Sequence, residues 1–429
     1  MGHGHSHTAI NGSEPEAGRM GQPGQRQDMV RQRAARRRAG ILLSAVLVPI
    51  GVVAVLLMVL LWPSGKTADI SLGSPYAAAP GASIDTGKVQ RTAQEDCPGS
   101  TVGSKDCLIA YSQPDAGGDV VPVMISPEIA KSPGVHQGDT IKYVNLSKLG
   151  PNPNGPAYVF MDFVRSAPML LLALVYAVVV IAVARWRGLR ALLGLVGAYL
   201  VMAFFILPGL VEGKPPLLLA LVGSAVIMFG VLYFAHGVSA RTSTALIGTL
   251  FGLGMTAGIA AWATHATYLT GLADHNTYQL QSVAGNLSIS GMIMCGLIIS
   301  GLGVLNDVTI TQSSAVWELY ELAPQSSARN LFASAMRIGR DHIASTVYTI
   351  AFAYAGSALP ILIMVMLYRL PVFDALSSAE LAEEIVRTLV GSVGLVLAIP
   401  VTTAVAVLVV KATGRKRLAP ADAPVPLAS

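Results

Sequence analysis

Eight stretches of this chain are too long and too apolar for the interior of a water-soluble domain; they fall at 40–62, 166–184, 191–210, 216–235, 244–263, 287–306, 343–367 and 388–410. A helix of about 20 apolar residues crosses the hydrocarbon core of a bilayer. Every backbone N–H and C=O in that core must be paired within the protein, so the windows are predicted to be helices. Composition agrees, with 53% hydrophobic and only 12% charged residues, against about 25% charged in soluble domains. The expected fold class is an all-α polytopic membrane protein of about eight transmembrane helices.

Charge gives the expected orientation. Arg31, Arg33, Arg36, Arg37 and Arg38 precede the first window, which places the N-terminus in the cytoplasm. That window is also too long for a signal-peptide core. With the first side fixed, eighteen of the 29 Lys and Arg residues fall on the cytoplasmic side and three (Lys214, Arg369 and Arg387) in the short outer loops. The other eight belong to the long segment after the first span. Both termini are therefore expected in the cytoplasm of a plasma-membrane protein. Residues 1–39 read as a disordered basic tail and 412–429 as a second cytoplasmic tail. The net charge of +5 does not suggest a nucleic-acid binder, because the basic residues flank apolar windows instead of forming a stripe on a soluble domain.

Residues 63–165 are a different material. Short alternating segments at 87–92, 107–111, 120–125, 140–145 and 158–164 are separated by turn sequences such as DAGGD and PNPNGP. Five short strands in such a length predict a small extracytoplasmic β-barrel or OB-like domain. Cys97 and Cys107 lie in the same polar stretch. Outside the cell a disulfide closing that short loop is expected. Cys295 lies in an apolar window and reads as packing.

The chemistry-bearing residues concentrate late in the chain. After 287–306 the apolar window ends in Asn306 and Asp307, yet the helical pattern runs on to Leu322. Asp307, Thr311, Ser314, Glu318 and Glu321 fall on one helix face by their spacing. A carboxylate near hydrocarbon costs about 2.5–3.5 kcal/mol at the bilayer centre, so it marks a functional site by default. The bland alternative is a wet face at the cytoplasmic boundary. A second amphipathic stretch completes the segment 312–342, with Leu331, Ala335, Ile338 and His342 on one face. Arg337, Arg340 and Asp341 cluster ahead of the next span, and Ser345 and Thr349 carry the polar line into it. The arginines satisfy topology and are also candidates to pair with Asp307 or Glu318. Gly248, Gly252, Gly254 and Gly258 allow close helix packing.

His3, His5 and His7 read either as a solvated tail or as a short metal-binding tract. No nucleotide loop, HExxH, GxSxG or haem motif is present. Neither an enzyme nor a cofactor is expected.

The stretches VFMDFVR, RWRGLRALLGL at 185–195, GLGVLNDVTITQSSAVWEL and IGRDHIASTVYTIAFAYAGSALP resemble the YibE/F family of bacterial membrane proteins, in order, over most of residues 84–410. The resemblance implies a multipass plasma-membrane protein and no particular reaction. A fainter similarity, to SecD/SecF and RND exporters, covers the last five spans. LND at 305–307 and STVYT at 345–349 carry it, with Asn306 where classical RND pumps hold one of two acids. The expectation is a transporter or export-assisting protein, ion-coupled through Asp307, with the bilayer, a substrate or an envelope protein as partners. A membrane scaffold or sensor is the alternative, and an oligomer is compatible with either.

Overall fold

The computed structural model describes residues 23–65, 82–95, 107–131, 134–149, 155–271, 277, 280, 287–369 and 371–413. The first helix, α1, runs Pro23–Leu60. It starts inside the segment expected to be disordered. Gln, Arg, Ala and Met are good helix formers, and a span that is already helical removes the nucleation cost of extending it backwards.

The insertion is a closed five-stranded barrel. Its strands are β1 Ser83–Glu95, β2 Cys107–Pro114, β3 Val121–Ile125, β4 Thr140–Asn145 and β5 Tyr158–Phe163. The order is β1-β2-β3-β5-β4, closed by β1 against β4, and only β3 and β5 run parallel. A short helix, α2 (Pro127–Lys131), connects β3 to β4. This Greek-key order with its intervening helix is that of an OB-like barrel. The five expected strands are all present, β1 being longer than expected. Inward positions alternate as a half-buried pleat requires: Val89, Ala110, Val123, Ile125, Ile141 and Tyr143 form the core. Tyr143 is 1% exposed, and burial, followed by the Asp85 charge, pushes its phenol up to about 12. Cys107 is buried and disulfide-bonded; Cys97, its expected partner, lies outside the described residues.

The helical part follows. It contains α3 (Ser166–Val201), a π turn at Met202–Ile206, α4 (Leu207–Val211), α5 (Pro216–His236), α6 (Ala240–Ala266), α7 (Ile289–Ser300), α8 (Leu302–Leu322), α9 (Ala328–Ser357), α10 (Leu359–Tyr368), α11 (Val372–Leu376) and α12 (Ala379–Thr413). Among the described residues six helical segments are long and apolar enough to cross a membrane, or seven if the α9–α10 pair, bent by 65°, is one span. The difference from eight lies at 166–211, where two expected spans form one 46-residue apolar segment. It is not a straight rod. The backbone breaks at Arg185, with φ 52° and ψ −132°. A methyl group on Gly188 would sit 2.5 Å from the carbonyl oxygen of Val180. Eight residues of straight helix would separate those positions by about 12 Å, so the chain folds back on itself here.

Glycines set the closest approach in the helix bundle. A side chain at Gly248 of α6 would overlap Thr402 Oγ1 of α12, and one at Gly394 of α12 would overlap Thr256 Oγ1 of α6. Between these two reciprocal contacts, Gly252 lies against Ala398 and Leu305. Each helix thus offers a glycine notch to the other's threonine across an antiparallel crossing. Such notches let backbones approach and gain dispersion contact where no hydrophobic effect drives association. Of the four glycines expected to pack, Gly254 and Gly258 have open space beside them. Leu305, Val308, Ile350, Leu395 and Ile399 fill the bundle around α8, α9 and α12. Val316, Leu331, Ala335, Val407 and Val410 continue it towards the α8–α9 turn.

Candidate functional site

The two faces of α8 hold different chemistry. The inward face carries Thr309, Gln312 and Ser313, all buried. Thr309 Oγ1 lies 2.6 Å from Thr249 Oγ1 of α6. Each of these hydroxyls also lies within 3.0 Å of the carbonyl four residues back in its own helix. Two protons cannot serve three such contacts, so one of the three lacks a proton at any moment. Gln312 is 3% exposed. Its Nε2 donates to Ala335 O at 2.9 Å and to Thr403 Oγ1 at 2.8 Å, joining α8, α9 and α12 through one amide. Gly339 leaves the room that this amide occupies. Ser313 Oγ donates to Arg241 O at 2.9 Å, tying α8 to the first turn of α6.

These contacts give a depth scale. Gly291 packs against Pro216 at one end of the bundle, and Ser313 meets Arg241 at the other. The helix between them measures roughly 33 Å, one hydrocarbon thickness. Asp307 lies six residues before Ser313, roughly 9 Å inside that end.

Asp307 belongs to the open face, its side chain 68% exposed. Its Oδ2 is 3.7 Å from Nε2 of His342 on α9. The expected arginine partners are elsewhere: Arg337 donates to Ser334 Oγ at 2.9 Å, and both Arg337 and Arg340 are exposed. The antiparallel register explains the change. With Gln312 opposite Ala335 and Gly339, Asp307 falls opposite His342, and the two arginines lie nearer the α8–α9 turn. Glu318 faces Arg241 of α6 at 3.6 Å instead. Asn306 is half-buried and its Oδ1 has no hydrogen-bond partner among the described residues. Asp341, Ser345 and Thr349 are exposed along α9, with Thr349 Oγ1 donating to Ser345 O at 3.1 Å. The expected apolar face of α9 is buried at Leu331 and Ala335, but Gly339 replaces Ile338 in contact with the bundle.

Thr311 and Ser314 are separated from Asp307's immediate surroundings. They line a cavity of about 800 Å³ together with Arg187, Arg190, His236 and Arg241. The expected polar line along α8 is therefore divided between two sites.

The sequence pattern missed the buried hydroxyls and Gln312, because spacing identifies a polar face without saying which face the bundle covers. The pair Gln312–Ser313 inside an otherwise apolar stretch, read together with Thr402–Thr403, was the available signal. It also missed the triad at the start of α12, where Arg387 donates to Glu383 at 2.6 Å and to Glu384 at 2.8 Å. Among the described residues no three His, Cys, Asp or Glu side chains converge as metal ligands. His3, His5 and His7 lie outside the described residues.

Membrane-length apolar helices packed through glycine notches, with Thr249, Thr309, Gln312 and Ser313 hydrogen-bonded inside the bundle, define a multipass membrane protein. Residues 172–412 match the family described as YibE/F-like protein, and the chain belongs to that family. The match covers the helices from within α3 to the end of α12; α1 and the barrel precede it. No curated protein and no solved structure matches the chain.

Proposed function

We propose that this protein is a transporter or export-assisting protein of the plasma membrane, ion-coupled through Asp307 and His342. The observation that carries the reading is the pairing of these two ionisable side chains across α8 and α9, about 9 Å inside the end of the bundle. An ionisable pair at such depth is costly unless it does something. An imidazole facing a carboxylate gives the site two groups able to carry a proton, so one proton taken up or released changes its charge. Ser345 and Thr349 continue the same side of α9 and would supply oxygens along the route.

In this reading the break at Arg185 makes 166–184 and 191–210 two crossings, giving eight in all. Both termini are cytoplasmic, and the barrel receives or guides cargo outside. The membrane scaffold or sensor remains the second reading, favoured by the exposed Tyr348, Phe352, Met366 and Tyr368 of α9 and α10. An enzyme, a bound cofactor and a nucleic-acid partner form no part of either reading.

The test is proton movement into pyranine-loaded proteoliposomes under an imposed pH gradient, with Asp307→Asn and His342→Gln. Both variants should lose the protein-dependent component by about tenfold or more while remaining folded. Unchanged movement in both removes Asp307 from the mechanism.

A further inference from the structure

We propose that the cavity between the Arg185 turn, α5, α6 and α8 binds a phosphate group, and that the group belongs to an anionic phospholipid of the leaflet on that side. The inference does not rest on transport.

Four basic side chains converge here from three separate segments. Arg187 and Arg190 come from the reversal in α3, His236 from the end of α5 and Arg241 from the first turn of α6. Arg187 and Arg190 form no ion pair among the described residues, and Glu318 stands 3.6 Å from Arg241 with its side chain 64% exposed. The site is thus left with an excess of positive charge. Thr311 and Ser314 add hydroxyls from α8, and Ser239 and Thr242 add two more at the start of α6, where the helix dipole is positive.

Topology alone does not account for this arrangement. The positive-inside rule needs basic residues in the connecting turns. It does not need them gathered around one cavity of about 800 Å³ with hydroxyl groups in its wall. Guanidinium groups bind phosphate through two parallel hydrogen bonds, and hydroxyls complete the remaining oxygens. The position selects the source. The cavity lies level with the Ser313–Arg241 contact, where headgroups meet hydrocarbon. Beside it Trp317 lines the wall and Trp186 is exposed, as aromatic side chains are at that depth. Exposed Leu193, Val196 and Leu200 of α3 run from the same region along the bundle, a surface suited to acyl chains. Basic pockets between spans are known sites for anionic headgroups.

The experiment uses the full chain, reconstituted in nanodiscs of phosphatidylcholine. Phosphatidylglycerol is titrated in, and its retention is read by native mass spectrometry together with thermal stability. A separate arm adds inorganic phosphate to protein in phosphatidylcholine alone. Saturable phosphatidylglycerol binding is expected, weakened about fivefold per arginine in Arg187→Gln and Arg190→Gln. Arg187→Lys/Arg190→Lys keeps the charge that sets topology. It should fold normally and retain part of the binding. Lys88→Gln, on the barrel, should change nothing. Inorganic phosphate bound with the same arginine dependence and no lipid preference would uphold the phosphate site and overturn the lipid source. Lipid binding indifferent to the arginine substitutions, or none at all, overturns the proposal.

Discussion

The α6–α8–α12 bundle and the α9–α10 arm use the same residue types to opposite effect. In the bundle, Thr256 and Thr402 are buried against glycines, Thr249 and Thr309 against each other, and Thr403 against Gln312. On the arm, Ser345, Thr349 and Tyr348 are exposed, and the helix pair bends by 65° at Ala358. A threonine hydroxyl in a helix can return its proton to the carbonyl four residues back, so the residue fits either place. What separates the regions is whether a neighbouring glycine lets a second backbone come close. Where it does, the threonine methyl and hydroxyl become packing surface; where it does not, they line an open face.

The most damaging change to that distinction is a side chain in a notch. Gly248→Val should destabilise the protein by about 3 kcal/mol, since the contact atom is Thr402 close to its own backbone and cannot swing away. Denaturant titration in mixed micelles would show it. The smaller Gly248→Ala should be partly relieved by Thr402→Ala, the double variant recovering about 1 kcal/mol over the sum of the singles. Strict additivity would mean that the two helices are not in contact there. Gln312→Leu comes next, at about 1–2 kcal/mol, because it removes two hydrogen bonds linking three helices and crowds Gly339. A matched pair then sharpens the contrast. Thr309→Val in the bundle should cost about 0.6 kcal/mol, and Thr349→Val on the arm no more than about 0.5. Equal and large effects at both would show that the arm is packed against something in the native membrane.

Much of this contrast could not be read from the chain beforehand. The barrel strands were legible because period-two alternation and turn residues are local signals, and burial follows from alternation alone. The spans were legible because twenty apolar residues have few other uses. The register between helices is another matter. Nothing local says that Gly248 meets Thr402, or that Leu305 meets Gly252 and Thr309 meets Thr249, the contacts that turn one face of α8 inward and leave Asp307 outside. The pairing of Asp307 with His342 instead of Arg337 or Arg340 follows in turn from the α8–α9 register that Gln312 and Ala335 fix. The start of α1 at Pro23 was hidden for a different reason: a polar basic sequence reads as a tail, but it sits next to a span that has already nucleated a helix.

The smallest expected effect tests whether the far end of the bundle is held as firmly as its middle. There Glu212, just after α4, accepts hydrogen bonds from Ser64 Oγ at 3.0 Å and Gly65 N at 3.1 Å. Lys214 pairs with Glu212 at 3.3 Å and donates to the carbonyls of Leu61 and Trp62 at the end of α1. The tie therefore closes the free C-terminal carbonyls of one span with the loop of another. Hydrogen bonding from the Ser64–Gly65 backbone holds the Glu212 carboxyl below its usual value, with Ser64 Oγ and Lys214 adding to this against a smaller cost of burial. A carboxyl depressed by folding contributes stability that is present above its unfolded pKa and lost as pH falls through the folded one. Thermal midpoints of the wild type and Glu212→Gln should thus differ at pH 7 by about 1 °C, and converge as the carboxylate is protonated below its ordinary range. A gap that stays constant through that acid range would place the stabilisation in the side chain's shape and not in its charge. The outer tie would then hold by packing, as the glycine notches do.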